Sequence, residues 1–144
     1  MTRSDEPRAT GSCLCGSVTY SVHGPLRDVI VCHCRMCRRL SSHASAFSAC
    51  APGDLRIAAG RNLRWYRSSP SARRGFCSKC GAQLFWEPAH GGHISISAGS
   101  LDEPTHLKII EQIFLDAKGD YYDVVTAATD AHLQPDRPGI AKKT

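Results

Sequence analysis

Apolar and polar positions alternate with a period of two along most of this chain, which is the spacing of half-buried strands. "SVTYSV" (17–22) places Val18, Tyr20 and Val22 on one face, and Gly24-Pro25 then turns the chain. "DVIVC" (28–32) is a short β-branched strand that runs into a cluster of cysteines. "ASAFSAC" (44–50) alternates weakly and is ended by Pro52-Gly53. "DLRIA" and "NLRWYR" follow as strand candidates, and "RGFCSKCGAQLFWE" (74–87) reads as strand, metal-type turn and second strand. "HISISA" (93–98) alternates cleanly, with Ile94 and Ile96 together. "HLKIIEQIFL" (106–115) fits either helix or strand; its β-branched content and the Lys118-Gly119-Asp120 turn favour strand. The one early helix expected is short and follows Cys37, at "RRLSSHA".

The pattern predicts a mainly β fold of several small antiparallel sheets with few short helices. At 144 residues the chain is expected to form one domain, placed at 11–128. Residues 1–10 are polar and expected to be flexible, and 129–144 form a Pro-rich polar tail expected to be disordered at its end. The opening "MTRSDEPRATGS" has no apolar signal core, and no run approaches membrane-spanning length, so a cytoplasmic location is expected.

Net charge is +5, and much of the excess lies between the cysteine clusters, at Arg35, Arg38, Arg39, Arg61, Arg64, Arg67, Arg73 and Arg74. A basic face suits nucleic acid or an acidic small molecule. A solvated face that also offsets the negative charge of thiolates explains it more simply, and a nucleic-acid partner is disfavoured.

Candidate chemistry sits in the 8 cysteines. With no export signal, close C-x-C and C-x-x-C spacings point to metal or redox chemistry rather than to disulfides. "CLCG" (13–16) and "CSKCG" (77–81) each end in glycine, which tolerates the dihedrals of a metal turn. Cys13, Cys15, Cys77 and Cys80 are therefore assigned to one closed structural site, for which zinc suits four thiolates. A redox C-x-x-C competes with this reading, but "CSKC" lacks a thioredoxin-like βαβ setting.

"CHCRMC" (32–37) then supplies Cys32, Cys34 and Cys37, one ligand short of a closed site. Cys50 stands alone in an apolar strand and reads as a small core residue. A second zinc with one open position follows, the arrangement of a catalytic site, and soft thiolates favour a thiol as the incoming ligand. His33 lies between two of the cysteines, so an extended backbone points it away from them, into a supporting or structural role. His43 is read as a hydrogen-bonding or exposed residue. Arg35, Arg38 and Arg39 are candidates to offset thiolate charge or to bind substrate carboxylates. An iron–sulfur cluster on the same cysteines, or a non-enzymatic zinc module contacting nucleic acid or protein, are the competing readings.

"GSCLCGSVTY", "CHCRMCRR", "RRGFCSKCGAQLF" and "GSLDEP", in this order, resemble the glutathione-dependent formaldehyde-activating enzyme family, which includes the centromere-protein-V-like proteins. The resemblance covers roughly residues 10–124. It implies a β-tent-like zinc fold, structural ligands at Cys13, Cys15, Cys77 and Cys80, and a second, three-cysteine zinc site at Cys32, Cys34 and Cys37. It also implies a carbon–sulfur lyase that condenses formaldehyde, or a related aldehyde, with glutathione or a similar thiol; a homodimer is left open. The chain departs from the family pattern near Ser42, where a glycine is common, and at Gln112-Ile113 and Tyr121, where "HI" and a tryptophan are common. These departures touch the substrate pocket and leave the zinc framework intact.

Overall fold

A computed structural model describes residues 5–124. The expected tail and the last residues of the expected domain lie outside them. The strands are β1 (Ala9–Ser12), β2 (Thr19–Val22), β3 (Arg27–Cys32), β4 (Ser45–Cys50), β5 (Leu55–Ala59), β6 (Leu63–Ser69), β7 (Ala72–Cys77), β8 (Gln83–Pro88), β9 (Ile94–Ser97) and β10 (Ile109–Ile113). The α-helix α1 (Arg35–Ser41) stands between β3 and β4. The fold is mainly β, as the alternation predicts. No helix among the described residues is long and apolar enough to cross a membrane.

β1, β2 and β5 form a small sheet in that order, and the other strands form a seven-stranded sheet ordered β10-β3-β4-β9-β8-β7-β6. Pairing is antiparallel except at the edge, where β10 runs parallel to β3. The segment 106–115 thus contains a strand, as its β-branched residues suggest. Its side chains are largely exposed, because β10 has a neighbour on one side only.

The core joins the two sheets. Val18, Tyr20 and Val22 are buried together, as their period predicts, against Leu84, Phe85, Ile94, Ile96 and Leu101. Tyr20 meets Phe85 edge to face, with ring centroids 5.2 Å apart. Ile94 and Ile96 share the expected face, yet Ser95 between them is buried too, because the opposite face of the large sheet lines a cavity.

Two local structures differ from expectation. Ala9 and Thr10, polar enough to suggest a loose terminus, pair with Val22 and Ser21 in β1. Backbone pairing holds them, aided by the Thr10 hydroxyl donating to Asp102 Oδ2 at 2.6 Å. The helix starts at Arg35, earlier than the sequence suggests, because Cys34 caps it. Its Sγ accepts from the Cys37 amide at 3.3 Å, the service an N-cap hydroxyl performs. The helix ends at Ser42, whose φ of 69° is left-handed.

Left-handed backbone at a helix C-terminus favours glycine. Ser42→Gly is expected to raise unfolding stability by about 0.5–1 kcal/mol, read from the urea midpoint. Gly11→Ala is expected to lower it by about 1–3 kcal/mol. A Cβ there would lie 2.2 Å from the buried Tyr20 hydroxyl and 2.6 Å from the Ser100 carbonyl oxygen.

Candidate metal centres and the cavity beside them

Cys13 and Cys15, at the turn between β1 and β2, meet Cys77 and Cys80, at the turn between β7 and β8, with all four Sγ within 4.8 Å of one another. Cys13 Sγ is 3.6 Å from Cys15 Sγ, which is 3.8 Å from Cys77 Sγ. A zinc–thiolate tetrahedron with bonds near 2.3 Å has sulfur–sulfur edges of about 3.8 Å. The four residues therefore fit zinc. Backbone amides already point at the sulfurs: Val18 donates to Cys13 at 3.3 Å, and Lys79 and Cys80 donate to Cys77 at 3.3 and 3.4 Å. Both glycines that close the motifs are left-handed, Gly16 at φ 77° and Gly81 at φ 79°. The Ser17 hydroxyl, 3.3 Å from Cys77 Sγ, together with the two amides, brings the Cys77 thiol down to about 6 against the effect of burial.

The second group is Cys32, Cys34 and Cys37, again with sulfurs within 4.8 Å of one another. Cys32 ends β3, Cys34 caps α1, and Cys37 sits on the buried side of its first turn. These thiols share protons unequally. The Cys32 thiol's hydrogen bond, helped by Arg74, Ser45 and Cys34, lowers Cys37 to about 5, while Cys32 is pushed up by the same bond and by burial. Three sulfurs this close suit a soft cation, and the group fits a metal held on three sides.

His33 points away from these sulfurs, as extended backbone requires. It is buried, with Nδ1 2.5 Å from the Tyr122 hydroxyl and Nε2 2.6 Å from Gln112 Oε1. Its backbone amide donates to the Ile113 carbonyl at 3.0 Å. His43 pairs through Nδ1 with the Tyr121 hydroxyl at 2.8 Å and packs on Tyr122. Both histidines thus serve as supports, and neither belongs to a metal-type cluster among the described residues. Cys50 is buried in the core, and burial first, with Asp54 second, raises its thiol to about 11.

A cavity of about 410 Å³ opens beside Cys32, Cys34 and Cys37. Every strand of the large sheet except β6 contributes to its lining, so the sheet curls around it. Ile30, Phe47, Trp86, Ile113 and Phe114 make it mostly apolar, and Arg27, Arg74, His93 and Ser95 supply polar groups.

None of Arg35, Arg38 and Arg39 lines this cavity. At 100° per residue, a helix that turns Cys37 inward turns Arg35 and Arg39 to the far side, and both are exposed. The cations that do line it are Arg27 and Arg74, from β3 and β7. Arg74 is only 5% exposed; Nη2 donates to Cys37 Sγ at 3.6 Å and Nε to Ser68 at 3.3 Å, while Nη1 has no partner among the described residues. An unpaired buried donor of this kind costs on the order of 1–3 kcal/mol. Offset of thiolate charge by arginine is therefore present, delivered from a different element than the neighbouring sequence suggests. His93 stacks on Trp86 with centroids 5.7 Å apart, and burial first, then Arg27 and His90, lower its pKa. Arg27 and His93 lie in no motif, and nothing in "RRGFCSKCGAQLF" marks Arg74 as a cavity residue: each is one polar residue in or beside a strand, and only the curl of the sheet brings them to one cavity.

The family model for glutathione-dependent formaldehyde-activating enzymes matches residues 8–117. The chain belongs to this family. A curated relative in Schizosaccharomyces pombe, an uncharacterized lyase, is 29% identical over 119 residues, covering 81% of this chain and 85% of that protein. A crystal structure of a Rhodobacter sphaeroides protein matches with a TM-score of 0.59 at 25% identity, over 72% of this chain and 98% of that one. The positions at which the sequence departs from the pattern it resembles have places in the structure. Ser42 holds a left-handed helix end, Gln112 holds His33, and Tyr121 holds His43.

His33→Ala is expected to lower stability by about 2–3 kcal/mol, measured by thermal unfolding, because Tyr122 and Gln112 both lose a partner and a void opens. Leu14→Ala, at a side chain 90% exposed beside the first sulfur group, is expected to change it by less than about 0.5 kcal/mol.

Proposed function

We propose that the protein is a zinc-dependent carbon–sulfur lyase that condenses a thiol such as glutathione with formaldehyde or a related aldehyde. The observation that carries this reading is the placement of Cys32, Cys34 and Cys37 on the wall of a cavity large enough for a small organic ligand. Family membership supports the same reaction class. Cys13, Cys15, Cys77 and Cys80 lie on the other side of the chain's chemistry: they line no part of that cavity and suit a structural zinc.

Zinc held by Cys32, Cys34 and Cys37 would supply a lowered pKa for an incoming thiol, so that the thiol reacts as thiolate at neutral pH. The chain's own residues do the rest. Arg74 offsets negative charge at Cys37. Ile30, Phe47 and Trp86 exclude water from the space in which thiol and aldehyde meet. Sulfur's electron pair forms the new C–S bond, the carbonyl pair moves to oxygen, and that oxygen takes up the proton the thiol gave away. His93, held neutral by its surroundings, is the cavity's imidazole and the residue suited to pass that proton. The reverse reaction runs through the same positions and releases the aldehyde.

The direct test is exchange NMR of formaldehyde with glutathione in the presence of the zinc-loaded protein. Faster adduct exchange than in buffer is expected, lost in Cys34→Ser. No acceleration with either glutathione or simpler thiols, at full metal loading, would overturn the reading. Stepwise chelation followed by metal analysis is expected to strip the three-cysteine site first, with the folded state retained until the four-cysteine site empties. Simultaneous loss, or loss in the opposite order, would reverse the two roles.

A further inference from the structure

We propose that the cavity selects an anionic thiol, one with a carboxylate on a short apolar skeleton, that the open N–H edge of Arg27 holds the carboxylate, and that Arg74, packed on Cys37, adds positive charge beside it. This rests on the thiol–aldehyde reading of the three-cysteine site and names the class of thiol it takes.

The two arginines differ from the others in the region. Arg73, by contrast, has a carboxylate partner in Glu87 at 3.0 Å and lies over Trp65. Arg27 and Arg74 form no ion pair with a carboxylate among the described residues. Arg27 Nε donates to the Asp28 carbonyl at 3.1 Å and Nη2 to the Phe47 carbonyl at 2.9 Å. These bonds fix the guanidinium against the backbone and leave Nη1 without a partner among the described residues. In Arg74 the contacts to Ser68 and Cys37 likewise fix the plane, but Nη1, unpaired among the described residues, is closed off from solvent, so Arg74 acts on the ligand through its charge. A planar, always-charged donor held rigid with a free edge is what carboxylate recognition needs, and little side-chain entropy remains to be lost on binding.

The rest of the lining sets the remaining features of the ligand. Ile30, Phe47 and Trp86 offer no polar partner to its middle, so a short hydrocarbon or thioether segment suits them. No Asp or Glu lines the cavity among the described residues. An ammonium group on the thiol would face two guanidinium ions with nothing to pair with. The lowered pKa of His93, caused in part by Arg27, reports the same positive field. Glutathione satisfies the arginines with its carboxylates but brings an ammonium that this lining does not serve.

The test uses the zinc-loaded protein and three thiols of matched length: 3-mercaptopropionate, 3-mercaptopropan-1-ol and 3-mercaptopropylamine. Affinities are read by isothermal titration without aldehyde. The carboxylate is expected to bind at least about tenfold tighter than the alcohol, the amine weakest, and the advantage is expected to shrink with added salt. Arg27→Met is expected to bring the carboxylate down to the level of the alcohol while leaving metal content unchanged. Arg74→Lys, which keeps a cation beside Cys37, is expected to keep most of the advantage. Equal affinities for carboxylate and alcohol, tighter binding of the amine, or an undiminished preference in Arg27→Met would each overturn the proposal. Aldehyde condensation without a carboxylate preference would leave the lyase reading standing and remove this one. A carboxylate preference without any condensation would uphold the preference and remove the lyase reading.

Discussion

Convergence of four sulfurs from turns more than sixty residues apart is the constraint on which the rest depends, since Cys15 and Cys77 alone are separated by 62 positions. One turn belongs to the small sheet and the other to the large sheet, so whatever holds the sulfurs holds the sheets together. Val18 and Leu84, next to these turns, are completely buried in the shared core. The apolar contacts and the sulfur group therefore reinforce one another. A metal bound to four thiolates in such a place adds on the order of 10 kcal/mol to folding. That is enough to fix the relative position of sheets whose core is modest, and with it the curl that forms the cavity.

The second sulfur group has three members, lies on a cavity wall, and is held from outside the group. Backbone alternation puts Cys32 and Cys34 on one side and His33 on the other. Gln112 and Tyr122 then clamp His33 from behind, and the Cys37 amide binds Cys34 from the front. Each cysteine is thus held through its backbone or its neighbour, and the sulfurs themselves stay available on the cavity side.

The strand pattern was legible wherever one face of a strand meets the core, as at Val18, Tyr20 and Val22 or at Ile94 and Ile96. Both sulfur groups were legible because the ligands of each lie within two local motifs, or one, and glycine marks the turns at Gly16 and Gly81. β1 was not, since backbone pairing rather than apolar periodicity holds Ala9 and Thr10. The cavity's polar groups were hidden for a related reason. Arg35, Arg38 and Arg39 adjoin Cys37 in sequence, but helical rotation separates neighbours in space. Arg27 and Arg74 lie on strands that are not adjacent in the sheet, and only its curvature brings both to one cavity.

β10 is an edge strand, the one parallel member of its sheet, yet it supplies Gln112 to His33 and Ile113 to the cavity wall, with Phe114 following directly at the rim. Its outward side chains touch little, and the core cluster contains none of them. Apart from Gln112, which holds His33, sequence change in this strand can therefore reshape the pocket at little cost to the core. The fold separates what must be kept from what can drift: the sulfurs and the core lie where elements meet, and the cavity wall is completed by a strand at the margin of the sheet. Chains built on this plan can keep both sulfur groups while the pocket beside one of them changes.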